Sequence, residues 1–83
     1  MRIRVRLFAT LQQYLPPGSN GSETSVELPD GATPVDALDA LSVPAALAHI
    51  VFVNGRHVLR GDLAVRRLAE GETLSVFPAI GGG

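Results

Sequence analysis

From Arg2 to Leu7 the chain alternates without a break, with Arg2, Arg4 and Arg6 on one parity and Ile3, Val5 and Leu7 on the other. A period of two is the mark of a strand with one buried face and one face left to solvent or a partner. The other end repeats the pattern. Thr73-Leu74-Ser75-Val76-Phe77 puts Leu74 and Val76 inward and Thr73, Ser75 and Phe77 outward. With 83 residues there is room for one small domain, so these two strands bracket a single sheet.

Between them, Ala9 to Leu15 places Leu11, Tyr14 and Leu15 on one face at helical spacing before Pro16-Pro17-Gly18 stops the segment. Residues 24–28 read as a short strand closed by Pro29-Asp30-Gly31. Thr33-Pro34-Val35-Asp36 starts a helix: threonine caps, proline suits the first position, and Asp36 favours the helix dipole. Its expected buried stripe is Val35, Leu38 and Leu41. Pro44 opens a second short helical piece through Ala48. Ile50-Val51-Phe52-Val53 is a continuous apolar run suited to a central strand, and Asn54-Gly55 turns it into a return strand at His57-Val58-Leu59. Gly61 to Gly71 reads as connection, with one helical turn expected around Val65–Leu68. The order strand, helix, strand, helix, hairpin, strand gives an α+β fold, a mixed four- to five-stranded sheet with its helices on one face. We expect a domain over residues 1–78 and a flexible glycine tail over 79–83.

Composition removes several functions. An apolar fraction of 46% supports a folded core, and a net charge of −1 argues against a nucleic-acid footprint. The chain has no cysteine, hence no disulfide framework, thiolate metal site or thiol nucleophile, and no lysine, all seven basic residues being arginine. His49 and His57 lack acidic or thiol partners at ligand spacing, so no metal is expected. No run of about 18 apolar residues is present, and the charged alternation at the N-terminus is unlike a signal peptide. The expectation is a soluble cytoplasmic protein that meets neither membrane nor nucleic acid. No phosphate loop or nucleophile motif offers a site for turnover.

Two features remain. Strand parity sends Phe8 and Phe77 to the face away from the helices, beside Arg2, Arg4 and Arg6, and aromatics next to arginine are common in protein interfaces. The competing reading tucks each ring under a loop as satellite core. The second feature is the end. After Glu72 no charged residue occurs, and the chain closes on Gly81-Gly82-Gly83, which can approach another surface closely and present a carboxylate.

The segments RVRLFATLQQYLPPG, VELPDGATPVDALDAL, VFVNGRHV and EGETLSVFPAIGGG resemble the MoaD/ThiS family of ubiquitin-like sulfur carriers, over essentially the whole chain. The ending resembles the MoaD-like branch, Phe-Pro-Pro-hydrophobic-small-Gly-Gly, on Phe77, Pro78, Ala79, Ile80, Gly81, Gly82 and Gly83. It departs at Ala79, where the second proline is expected, and at Gly81, often alanine or threonine.

The resemblance implies a ubiquitin-like β-grasp fold and a co-substrate rather than an enzyme. An ATP-dependent adenylating enzyme would activate the Gly83 carboxylate, and a sulfur donor would replace AMP to leave a thiocarboxylate. No cofactor would be bound; ATP belongs to the activating enzyme. The use it implies first is molybdopterin synthesis, with a synthase large subunit as partner. Thiamin, cysteine or tRNA thiolation, or conjugation to proteins through Gly83, are the alternatives. Gly82 and Gly83 would carry the chemistry. Phe8, Phe77, Pro78, Ile80, Gly81, Arg4, Arg6 and His57 would meet partners.

Overall fold

The computed structural model describes residues 1–79. Five strands form one mixed sheet: β1 (Arg2–Leu7), β2 (Glu23–Glu27), β3 (Ile50–Val53), β4 (Arg56–Val58) and β5 (Thr73–Phe77), in the order β2-β1-β5-β3-β4. First and last strands lie side by side and parallel, Val5 opposite Leu74 and Leu7 opposite Val76, while every other pairing is antiparallel. A single α-helix, α1 (Pro34–Ala40), packs on one face. This is the expected α+β architecture.

The alternation in β1 produces the packing it implies. Ile3, Val5 and Leu7 are fully buried, as are Leu74 and Val76 of β5. Val51, Val53, Leu38 and Ala37 complete the centre of the core. Thr33 caps α1 as the sequence indicates: its hydroxyl accepts from the Asp36 N–H at 3.4 Å, and the Asp36 carboxylate accepts from the Thr33 N–H at 2.9 Å. At the Asn54-Gly55 turn both residues take positive φ, 50° and 79°, as a two-residue hairpin with matching twist requires. The Asn54 side chain also accepts from the Thr73 N–H at 2.8 Å, fixing the start of β5.

Several elements differ from the sequence expectation. Ala9–Tyr14 is a 3-10 helix, not an α-helix: Ala9 enters it at a φ of 52°, and Pro16-Pro17 leave no length for a third turn. Leu11 alone of the expected trio is buried, with Tyr14 and Leu15 packed at the core margin. On α1 the buried residues are Pro34, Ala37 and Leu38, with Val35 and Leu41 half-buried, because the helix is only two turns long and sits close to the sheet. Pro44 likewise leads into a short 3-10 turn, Ala45–Leu47.

β5 occupies the middle of the sheet; β3 lies one strand out, and only Val51 and Val53 of its apolar run are buried. The return strand is Arg56–Val58, and Leu59 is exposed. The helical turn expected at 65–68 occurs earlier, at Arg60–Asp62. The following segment does more than connect. Leu63 and Leu68 are buried, and their backbones bond to Val35 and Ala32, closing the segment over the start of α1. Among the described residues no helix is long and apolar enough to cross a membrane.

Candidate functional site

The face of the sheet away from α1 carries all three phenylalanines of the chain. Their arrangement follows from register. Leu7 lies opposite Val76 in the parallel β1–β5 pair, so Phe8 and Phe77, the next residues on each strand, are neighbours. The Phe8 N–H bonds to the Val76 carbonyl at 3.2 Å, which holds it in line with β5. Adjacent strands are spaced about 4.7–4.9 Å, close to a ring-stacking distance. The two rings accordingly stack, with centroids 4.3 Å apart and planes within 4°.

Phe52 pairs with Ser75, so it lies diagonal to Phe77 and meets it edge-on, centroids 5.9 Å apart at 89°. Across the hairpin Phe52 is directly opposite His57, whose ring lies 5.7 Å away. At the other end, Arg6 shares a face with Phe8 and holds its guanidinium carbon 5.2 Å from the ring centroid, within cation–π reach. A continuous strip therefore crosses four strands: Arg6, Phe8, Phe77, Phe52, His57. Phe8, Phe52 and Phe77 are half-buried, while Arg6 and His57 are exposed. Beside it, His49, Ile50, Phe52, Phe77 and Pro78 line an apolar depression, with the His49 N–H continuing the ladder to the Phe77 carbonyl at 2.9 Å.

Charge is uneven over this face. Arg2 forms an exposed ion pair with Glu27 at 2.8 Å, so it drops out of the expected three-arginine row. Arg4 stands opposite Ser25 and Thr73, Arg6 opposite Glu23 and Ser75; among the described residues neither makes an ion pair. The polar half thus lies over β1 and β2 and the apolar half over β5 and β3.

The loop before β5 is held by Glu72. Partial burial pushes its carboxyl up, but a fork from Arg66 at 3.3–3.4 Å and the Ala69 N–H at 2.7 Å outweigh that and leave it below the usual carboxylate range. Among the described residues no group of three or more histidine, cysteine, aspartate or glutamate side chains could hold a metal ion.

Of the residues singled out in the sequence, the structure brings together Phe8, Phe77, Pro78, Arg6 and His57, with Arg4 on the same face. Ile80, Gly81, Gly82 and Gly83 lie outside the described residues, as does all of the expected 79–83 tail except Ala79. Sequence reasoning missed Phe52, Ile50 and His49. The signal was the Asn54-Gly55 turn: a two-residue loop sets Val53 against Arg56 and Phe52 against His57, which fixes the parity of β3.

A mixed β-grasp sheet with parallel terminal strands is the scaffold of ubiquitin-like proteins, and the family model described as Mut7-C ubiquitin matches residues 1–81. The chain belongs to the Mut7-C ubiquitin family. No curated protein sequence matches it. Among solved structures, this Mut7-C ubiquitin chain is similar to the HVO 2177 protein of Haloferax volcanii, at 29% identity and a TM-score of 0.77, over all of this chain and 87% of that one. It is also similar to small archaeal modifier protein 1 of Haloferax volcanii, at 27% identity and 0.69, over the whole of both chains. It shares its fold with a putative molybdopterin converting factor, subunit 1, of Pyrococcus furiosus, at 22% identity and 0.67, over 95% of this chain and 98% of that one. The resemblance to MoaD/ThiS-like proteins and the β-grasp fold expected from the sequence both stand. Its neighbours are small ubiquitin-like proteins.

Proposed function

We propose that this ubiquitin-family chain is a sulfur carrier, a protein co-substrate whose Gly83 carboxylate is adenylated by an ATP-dependent enzyme and converted to a thiocarboxylate. One observation supports this reading most strongly. The aromatic strip has Phe77 at its centre, next to Pro78, and these are the residues that lead into the uncharged sequence Ala79 to Gly83. A partner seated on Phe8, Phe77 and Phe52 would therefore meet the base of that segment. A carboxylate is a poor electrophile, and adenylation gives its carbonyl carbon a good leaving group. Glycine at positions 82 and 83 leaves a slot-shaped active site unobstructed. Phe8, Phe77, Pro78, Ile80 and Gly81 would contact the partner, Arg4 and Arg6 would meet its acidic groups, and His57 would border the contact.

The pathway we propose is molybdopterin synthesis, with a synthase large subunit as the second partner, a reading supported by the Pyrococcus neighbour's description as subunit 1 of a converting factor. The Haloferax modifier, more similar in sequence, supports a second reading in which Gly83 is joined to amines of other proteins. Intact mass after incubation with ATP, inorganic sulfide, which displaces AMP directly, and the adenylating enzyme of the same genome separates the two. A gain of about 16 Da, oxygen replaced by sulfur, is expected for the carrier. Protein adducts ending at Gly83 would mark the modifier, and an unchanged mass would overturn both. Gly82→Val should abolish the gain while leaving the fold intact.

A further inference from the structure

Charge is segregated across the sheet. From Phe8 to Gly55 the sequence holds five carboxylates, Glu23, Glu27, Asp30, Asp36 and Asp39, and neither arginine nor lysine. From Arg56 to Arg67 it holds four arginines and one aspartate, Asp62. The strand order puts the two groups at opposite ends. β2 is one edge, with a hollow beside its end lined by Leu28, Asp30, Asp36 and Asp39; β4 is the other, with a hollow lined by Arg56, His57, Asp62 and Arg66. Arg66 is taken up by Glu72 and Glu27 is bridged to Arg2, but Arg56 and Arg67 are exposed and, among the described residues, make no ion pair.

Both edges also keep backbone groups facing outward. Leu7 bonds to Ser22 and Leu28 to Met1, so the alternation of an antiparallel ladder makes Ile3–Val26 and Val5–Thr24 the bonded pairs between them. Ser25 and Glu27 therefore turn their N–H and C=O groups away from β1, while those of Glu23 are closed by Asn20 at 3.0 and 3.1 Å. At β4 the two-residue turn makes Val53–Arg56 a bonded pair, which leaves the N–H and C=O of His57 outward.

We propose that the β4 edge of one copy docks on the β2 edge of another, a head-to-tail contact that continues the sheet from molecule to molecule. Charge decides which edges meet. Two β2 edges would bring glutamates together and two β4 edges arginines, so the charges that guard each edge against its own kind draw unlike edges together. Parity matches them on both faces. Arg56 shares the α1 side of the sheet with Val53, where Asp36 and Asp39 of the second copy lie, and His57 shares the outer side, where Glu23 and Glu27 lie. Such a contact is heterologous and does not close on itself in a pair. Because the seam runs along edges, every copy keeps its aromatic strip on the same open side. The proposal stands apart from any chemistry at Gly83.

Sedimentation velocity of the chain alone tests it, in about 0.01 M and about 1 M salt, where the Debye length is about 30 Å and about 3 Å. At low salt the weight-average mass should rise with concentration, with a Kd of about 1 mM or tighter. At high salt the Kd should be at least about 10-fold weaker. Arg56→Glu with Arg67→Glu turns the β4 edge acidic, and Glu27→Arg with Asp30→Arg and Asp39→Arg turns the β2 edge basic. Each variant alone should stay monomeric, and an equimolar mixture of the two should associate again. Phe77→Ala should associate as the wild type does. In amide spectra of the wild type, shifts with concentration should centre on Ser25, Glu27 and His57 together. A monomeric wild type at low salt overturns the proposal, as do shifts confined to one edge. Association of either reversal alone to the wild-type extent, or its loss in Phe77→Ala, overturns it too.

Discussion

Ile3, Val5, Leu7, Leu74 and Val76 are fully buried on the inner face of β1 and β5, whereas Phe8 and Phe77, on the outer face of the same two strands' ends, remain half-exposed. The larger apolar side chains are on the less protected side. Hydrophobicity therefore does not decide burial here; parity and the placement of α1 do. The inner face is filled by branched aliphatic side chains that form one buried cluster with Ala37 and Leu38 of α1. The outer face is surfaced by flat rings that pack mainly against one another, in a strip set by strand register. Aliphatic interlock stabilises the fold, while rings held flat at a surface keep their apolar area available to a partner.

The contrast is broken most directly from the inside. Leu74→Ala, on the central strand of the sheet, should cost about 2–5 kcal/mol of stability because it leaves a cavity that the sheet cannot close. Its urea midpoint should fall with the m-value unchanged. Phe77→Ala removes the larger side chain but should cost less, about 1–2 kcal/mol, mostly the lost stack on Phe8 and the edge contact with Phe52. A loss equal to that of Leu74→Ala would make the outer face a second core and erase the distinction.

A finer test couples the rings. A double-mutant cycle on Phe8 and Phe77 should give an interaction of about 0.5–1.5 kcal/mol, and a cycle on Phe8 and His57, at opposite ends of the strip, close to zero. The smallest stability effect belongs to the loop that feeds β5. Glu72 is held below its unfolded pKa, so its contribution is complete above the unfolded value and is lost as pH falls through the folded one. Glu72→Gln should cost about 1 kcal/mol at neutral pH and flatten the acid limb of the stability profile, the variant and wild type converging at low pH.

The difference between the faces was only partly legible in the sequence. β1 and β5 alternate cleanly, so Phe8 and Phe77 could be placed outside from parity alone, and the Thr33–Asp36 box and the Asn54-Gly55 turn declare themselves chemically. β3 hides its faces: when both are apolar, as in Ile50-Val51-Phe52-Val53, composition carries no parity, and Phe52 emerges only from hairpin register. The sequence marks Ala9–Tyr14 and Ala45–Leu47 only as helical, because spacing over so few residues does not separate a 3-10 from an α-helix, and the left-handed entry at Ala9 has no sequence marker. The anchoring of Leu63 and Leu68 over α1 is a long-range contact with no local pattern to announce it.

The central claim is that the outer aromatic face serves recognition rather than stability. The decisive measurement is the initial rate of Gly83 thiocarboxylate formation, followed by intact mass under subsaturating adenylating enzyme, for wild type and Phe77→Ala at a temperature where both are fully folded. The account predicts a rate at least about 5-fold lower for the variant, the scale of an aromatic hot spot worth 1–2 kcal/mol. Equal rates for two equally folded proteins would contradict it.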